Sequence, residues 1–302
     1  MSLKKLLDDP QSGLRRFLDA RLPNTRPVAA EYALATSSVA LIEAPSSVPG
    51  GDGQGRRYPA AEVGHAFSAR VSLLFTDDVD VFWPPSLQLI QQIGHLAEAL
   101  RTALVKTAGS VGFRTVSEDR EQWLVRACYA VGLFDQLHRA GAHPGMPLLE
   151  LSQTSCLEDL LTLCPSPVVD ELITLTGAAR GALHPIARSG AATVIAGPSF
   201  TGSPDVGGAD GDLIVDSTLL ELKTTSKLAL SKHYIQQVVT YALLDYDDDH
   251  HLDSVGVFNP RRPVLVTWPL DSLLTTLAGH PIELLSLRRE LAAVLPRSNR
   301  SR

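Results

Sequence analysis

Gly207-Gly208-Ala209-Asp210-Gly211-Asp212-Leu213-Ile214-Val215-Asp216-Ser217-Thr218-Leu219-Leu220-Glu221-Leu222-Lys223-Thr224-Thr225 is the stretch on which the reading of this chain turns. Its two apolar runs are short and bounded by Gly, Asp and Ser, which suits strands better than helices. A two-residue connection, Ser217-Thr218, joins Asp212–Asp216 to Leu219–Lys223 as a hairpin, so that Asp216 faces Leu219 and Asp212 faces Lys223. Glu221 then lies opposite Ile214, one diagonal step from Asp212. Period-two alternation puts Asp212, Glu221 and Lys223 on one face, and Leu213, Val215, Leu220 and Leu222 on the other, free to meet a helix. Two carboxylates a diagonal apart repel each other in a half-buried setting unless a cation lies between them. A hard divalent ion such as Mg2+ takes one or two protein carboxylates and fills its shell with water and phosphate oxygens. Lys223 would stand beside that ion, placed to orient an attacking water or to stabilise developing charge.

Outward from the hairpin, the C-terminal third reads as an α+β module of pattern βββαββα. Its strands are Ala192–Ala196, Leu213–Val215, Leu219–Lys223, Val255–Phe258 and Val264–Trp268, with helices at His233–Leu244 and Pro281–Leu295. Upstream, apolar residues at three- and four-residue steps predict helices over Pro59–Phe75, Leu87–Lys106, Glu118–Arg139 behind a Ser117 cap, Leu148–Leu163 and Val168–Leu183. The first forty-odd residues are helical at Leu3–Leu7 and Leu14–Leu22 and then irregular, leading to a Gly/Pro-rich surface loop at Pro45–Gly55. The expected organisation is an N-terminal helical and irregular segment (1–58), a helical region (59–185) and a core (186–302). The fold class is α+β, a small mixed β-sheet flanked by helices and preceded by a mostly helical region.

Composition bounds the function. The chain has 302 residues, 44% hydrophobic and 20% charged, enough to bury a core, which excludes disorder as the whole answer. No apolar run approaches the roughly eighteen residues of a membrane span, and acids meet the N-terminal leucines where a signal peptide needs its apolar stretch, so a soluble, cytoplasmic protein is expected. Cys128, Cys156 and Cys164 form neither a disulfide framework nor a zinc ribbon and read as buried structural thiols. The formal charge of −6 argues against whole-molecule attraction to nucleic acid but not against a local basic groove. No Gly-x-x-x-x-Gly-Lys-Ser/Thr loop is present, so no nucleotide-driven motor is implied.

Asp212, a short strand and then Glu221-Leu222-Lys223 resemble the D-x(n)-(D/E)-x-K signature of the PD-(D/E)XK nuclease superfamily. Gln237-Val238-Val239-Thr240-Tyr241, on the helix that follows, resembles the Q-x-x-x-Y motif of its RecB-like branch. A spacing of four puts Gln237 and Tyr241 on one helix face. The resemblance spans about residues 190–268. It implies an α/β-like nuclease core that hydrolyses phosphodiester bonds in DNA, with Mg2+ or Mn2+ held by Asp212 and Glu221. Lys223 would position the attacking water, and Gln237 and Tyr241 would orient Lys223 or contact the phosphate backbone.

The chain departs from the family pattern in places. Gly211, not proline, precedes Asp212, and Asp210 shares its strand parity, so Asp210 stays an alternative first acid. Members of the branch add a His or Glu from an upstream helix; Glu62 and His65 are both open candidates here. An iron–sulfur cluster is not expected, because no cysteine follows Cys164.

Of the six lysines, Lys223, Lys227 and Lys232 fall close together and with His233 would give the site a basic rim, extended by Arg261 and Arg262 and a tail of Arg297, Arg300 and Arg302. Asp245, Asp247, Asp248 and Asp249 with His250 and His251 lack the order of an EF-hand loop and read as a solvated acidic turn. The expected partners are DNA and a protein docked on the helical region, with no membrane. The alternative function is a non-catalytic nucleic-acid-binding or scaffold protein that retains the nuclease fold.

Overall fold

The computed structural model describes residues 2–43, 60–84, 93–108, 112–187 and 193–295. Among the described residues the helices are α1 (Leu3–Asp8), α2 (Gly13–Arg21), α3 (Arg26–Ser37), α4 (Ala60–Phe75), α5 (Gly94–Ala108), α6 (Glu118–Ala140), α7 (Leu157–Thr162), α8 (Ser166–Ala187), α9 (Lys232–Leu244), α10 (Leu270–Ala278) and α11 (Leu284–Val294). The strands are β1 (Val194–Ala196), β2 (Leu213–Val215), β3 (Thr218–Leu222), β4 (Ser254–Asn259) and β5 (Val264–Pro269). They fall into two compact units, one of Met1–Ala40, Ala191–Leu222 and Lys227–Arg302, the other of Leu41–Gly190 and Lys223–Ser226.

In the first unit the strands lie side by side in chain order, β1-β2-β3-β4-β5. All neighbours are antiparallel except β3 and β4, which run parallel. A parallel pair needs a crossover of about a dozen residues or more, and α9 lies on that crossover. The sheet is therefore mixed and the fold α+β. One sheet face presents Ile214, Leu219, Val255, Val257, Val266 and Trp268, which share a core with Ile235, Val238, Val239 and Ala242 of α9.

The first forty residues are not a segment of their own. Leu3, Leu7, Leu14, Leu18, Leu22, Val28 and Tyr32 are buried in the same core as α9, α10 and α11. The boundary expected near residue 58 therefore moves, because the leucines of these short helices are covered by α9, α10 and α11 of the sheet unit. Ser12 caps α2, accepting from the Arg15 N–H at 3.0 Å.

Helix α3 replaces the irregular stretch expected there. Its buried side is Val28, Tyr32 and Thr36 in an alanine-rich segment, where polar atoms dilute the apolar period. It meets β5 through the Trp268 indole N–H, which donates to Glu31 Oε2 at 2.9 Å. Helix α10 was also not expected: β5 ends at Pro269, and Leu270, Leu273, Leu274 and Leu277 bury directly behind it until Gly279 stops the helix at φ 81°.

In the second unit α4, α6 and α8 pack together. Arg70 of α4 donates twice to Glu121 of α6, at 2.8 and 2.9 Å, and Arg180 of α8 adds a third bond at 3.0 Å. Ser117 does take the N-cap position of α6, but its side chain makes no capping bond. The single helix expected over Leu148–Leu163 is broken into a 3-10 turn at Pro147–Glu150 and α7. Ser152, Thr154 and Ser155 bond to one another there and compete with the helix backbone. Cys128 and Cys164 are buried as expected, whereas Cys156 is exposed at the start of α7.

No helix among the described residues is long and apolar enough to cross a membrane. The Pro45–Gly55 loop, residues 87–92 and Arg297, Arg300 and Arg302 lie outside the described residues.

Candidate active site

The hairpin forms where the sequence places it but in a different register. Leu213 pairs with Leu220, Ile214 with Leu219 and Val215 with Thr218, so the two-residue loop is Asp216-Ser217 rather than Ser217-Thr218. Asp216 adopts the left-handed region at φ 55°, which aspartate tolerates in tight turns. It is also bound to the chain before β1: its N–H donates to the Thr193 carbonyl at 2.8 Å, and its Oδ1 accepts from the Thr193 N–H at 3.1 Å.

The shift has a chemical consequence. Continued by one step, the observed register places Asp212 opposite Glu221, not opposite Lys223 as expected. Directly opposed residues on antiparallel strands have Cβ atoms about 4.5–5.5 Å apart, closer than a diagonal pair. Asp212 is held there by the Leu222 N–H, which donates to its Oδ2 at 2.7 Å. Glu221 pairs on its other side with Val257, and Val257 with Val266, so the acids stand at one end of an apolar row on the face that meets α9. Glu221 is buried and Asp212 half-buried. The two acids share a face as parity predicts, but α9 packs on that same face, whereas the helix was expected on the face of Leu213, Val215, Leu220 and Leu222.

Gln237 and Tyr241 project from α9 and bond to each other, Gln237 Nε2 donating to the Tyr241 hydroxyl oxygen at 2.8 Å. Tyr241 is buried at 6% exposure. Burial first, then the negative charges of Glu221, Asp212 and Asp210, push its phenol well above the ordinary tyrosine range, with only the Gln237 bond opposing them. The phenol is thus a fixed neutral group within electrostatic reach of all three acids. Asp210 is exposed and forms an isolated bridge with Ser199, two residues before Asp212 on the same strand path. Among the described residues no three His, Cys, Asp or Glu side chains converge as a metal-holding group. An opposed pair of carboxylates such as Asp212 and Glu221 has the chemistry of a site for a hard ion that keeps water or phosphate oxygens for its remaining positions.

Lys223 directly follows Leu222, where the β3 ladder ends, and is half-buried. It opens the short segment Lys223–Ser226 that belongs to the helical unit. Within that unit a Cβ on Gly64 of α4 would sit 3.5 Å from Thr224 Oγ1. Of the two upstream candidates on α4, His65 lies with Nδ1 3.2 Å from Asp135 Oδ2. Glu62 is 5% exposed, its Oε2 lacks a hydrogen-bond partner, and burial raises its pKa against the opposing pull of His65, Gln136 and His143.

The expected basic rim is mostly engaged elsewhere. Lys232 Nζ pairs with Asp19 Oδ1 at 2.9 Å, and His233 Nε2 lies 3.5 Å from Asp8 Oδ1, joining α9 to α1 and α2. Arg261 is 2% exposed and so offers no surface charge, while Arg262 donates to the Val39 carbonyl. The acidic turn is not merely solvated either. Asp245, fully buried, accepts from Arg288 Nη2 at 3.0 Å, and Asp248 takes the other amino group of the same guanidinium, locking α11 to the end of α9.

Sequence reading missed Phe200, whose ring stacks on Tyr241 with centroids 6.1 Å apart at 22°. No local pattern marks it, because its partner lies forty-one positions away. A scan against protein-family models matched none, and a search of curated proteins returned no match.

Proposed function

We propose that this chain is a metal-dependent nuclease that hydrolyses DNA phosphodiester bonds at Asp212 and Glu221. The observation that supports the reading is the register: carried one step past Leu213–Leu220, it sets Asp212 opposite Glu221 on the sheet face that meets α9, within electrostatic reach of Tyr241. Asp212 and Glu221 would hold Mg2+ or Mn2+. Such an ion, when bound, supplies a Lewis acid for a phosphoryl oxygen and a bound water of lowered pKa.

The other roles fall to the protein. The Leu222 N–H keeps one Asp212 oxygen fixed. Tyr241, neutral through burial and the charges around it, has a hydroxyl hydrogen to donate, since its oxygen already accepts from Gln237. Lys223, two residues after Glu221 in the chain, is the amine that the resemblance to PD-(D/E)XK nucleases assigns to the attacking water. A cytoplasmic setting is part of the reading, and three free thiols accord with a reducing compartment.

The test is cleavage of end-labelled single-stranded, duplex and branched DNA, with RNA alongside, in Mg2+ or Mn2+. The wild-type chain should cut, chelation should stop it, and Glu221→Ala and Lys223→Ala should abolish it with unchanged circular dichroism. Equal cleavage by wild type and both variants would sink the assignment.

A further inference from the structure

The sixteen-residue connection between the end of β1 and Leu213 is far too ordered for a simple turn. Its outer rungs continue the hairpin: the Gly197 N–H donates to the Asp212 carbonyl at 3.0 Å, and the Gly211 N–H to the Pro198 carbonyl at 2.9 Å. Its inner part is organised by Ser203, a buried hydroxyl that accepts from the Phe200 N–H at 3.0 Å and donates to the Ala209 carbonyl at 2.6 Å. The Ser203 N–H returns to the Phe200 carbonyl at 2.8 Å, and the Gly208 N–H donates to the Ser203 carbonyl at 2.9 Å. The loop is clamped to α9 as well, where the Gly202 N–H bonds the Leu244 carbonyl at 2.8 Å. A Cβ on Gly202 would lie 2.6 Å from Tyr246 Cζ, so only glycine allows this approach.

All of this fixes one ring. Phe200 is 5% exposed, stacks on Tyr241, and takes the His250 ring edge-on at 5.4 Å, while His250 Nε2 contacts the Ser199 carbonyl at 3.1 Å. The far end of the Phe200 ring reaches the acid strand: Cζ is 3.6 Å from where a Cβ on Gly211 would stand. The same Cβ would meet Leu219 Cδ1 at 2.9 Å, so Gly211 leaves no room for a side chain. The ring therefore lies between the backbone that delivers Asp212 and the helix that delivers Tyr241.

We infer that Phe200 is a positioning residue of the acid site, a spacer that sets how far the Asp212 strand stands from the tyrosine of α9. The inference rests on the nuclease reading above and deepens it. An ordinary core phenylalanine would contribute stability alone. A spacer also governs the geometry of the reacting groups, where a displacement of about 1 Å can cost on the order of 100-fold in rate.

The experiment measures kcat and KM for DNA cleavage, Mn2+ affinity by calorimetry, and the thermal midpoint for wild type, Phe200→Leu and Leu273→Ala. Leu273 is buried on α10 in the same core and serves as the stability control. Phe200→Leu should lower kcat by about 10- to 100-fold and weaken Mn2+ binding several-fold while KM stays within about threefold. Leu273→Ala should lower the midpoint and leave kcat and Mn2+ affinity near wild type. Should Phe200→Leu fail to fold, Ser203→Ala, which frees the loop without emptying the core, should show the same split to a smaller degree. Unchanged kcat in a folded Phe200 or Ser203 variant, or equal losses in Leu273→Ala, would overturn the inference and leave the nuclease reading standing. A wild-type chain that neither binds Mn2+ nor cuts would overturn both.

Discussion

Two buried glutamates, Glu121 in the helical unit and Glu221 in the sheet unit, are set in opposite surroundings. Glu121 is gripped by Arg70 and Arg180, and although burial raises its pKa, those guanidinium groups bring it below the usual carboxylate range. Glu221 faces a second acid, Asp212, across the hairpin, with a phenol held neutral nearby. The two side chains are almost equally hidden, at 6% and 4% exposure, so burial does not distinguish a structural carboxylate from a candidate catalytic one. The group placed opposite does. A carboxylate matched by two arginines is met by opposite charge, whereas one set against a second acid is met by like charge.

The largest effects are expected at the acids themselves. Asp212→Ala or Glu221→Ala should reduce DNA cleavage to background and remove Mn2+ binding, with chemical denaturation close to wild type. Retained calorimetric Mn2+ binding in either variant would mean that Glu221 and Asp212 hold no ion.

Glu121→Ala should show the converse, a large stability loss. It leaves the fully buried Arg70 guanidinium uncompensated, a change that costs about 3–5 kcal/mol. Replacing both partners, with Arg70→Met and Glu121→Leu, should recover most of that loss in urea melts, because matched apolar groups avoid the desolvation cost of a buried ion pair. A double variant as unstable as the single one would mean that the ion pair is needed for packing as well as for charge balance.

Glu62 offers a milder test within the same unit. Its folded pKa is raised, so the protonated form is favoured in the fold, and stability should fall as pH rises from the unfolded carboxylate pKa through the folded one. Glu62→Gln should flatten that decline and raise the thermal midpoint at neutral pH by a few degrees. The smallest effect should come from Asp19. Partial burial raises its pKa, but Lys232, Arg15 and Gln236 outweigh this and hold it at about 2. Its contribution is therefore present above the unfolded pKa and lost as pH falls through about 2. Asp19→Asn should weaken the α2–α9 contact slightly at neutral pH and remove that acid sensitivity, read from denaturation curves between neutral and strongly acidic pH.

Much of the sheet unit was legible because strand alternation is local. Leu213–Val215 and the run ending at Leu222 fall where their composition puts them, and the face shared by Asp212 and Glu221 follows from parity alone. Slipping the register by two residues preserves that parity, which is why the face was right while the partners were not. Gln237 and Tyr241 meet as helical spacing requires. The basic rim failed for a different reason: Lys232, His233 and Arg261 are drawn into contacts or burial set by distant segments, which composition does not report.

Short-range periodicity set the five strands, most of the helices other than α3 and α10, the face shared by the acids and the helix face shared by Gln237 and Tyr241, because each depends on repeats of a few residues. Tertiary packing selected the Asp216–Thr193 bonds, the register that carries Asp212 opposite Glu221, and the place of the Phe200 ring against Tyr241 and Gly211. Those relations join residues far apart in the chain, and packing selects among registers that local propensity leaves nearly equal in energy.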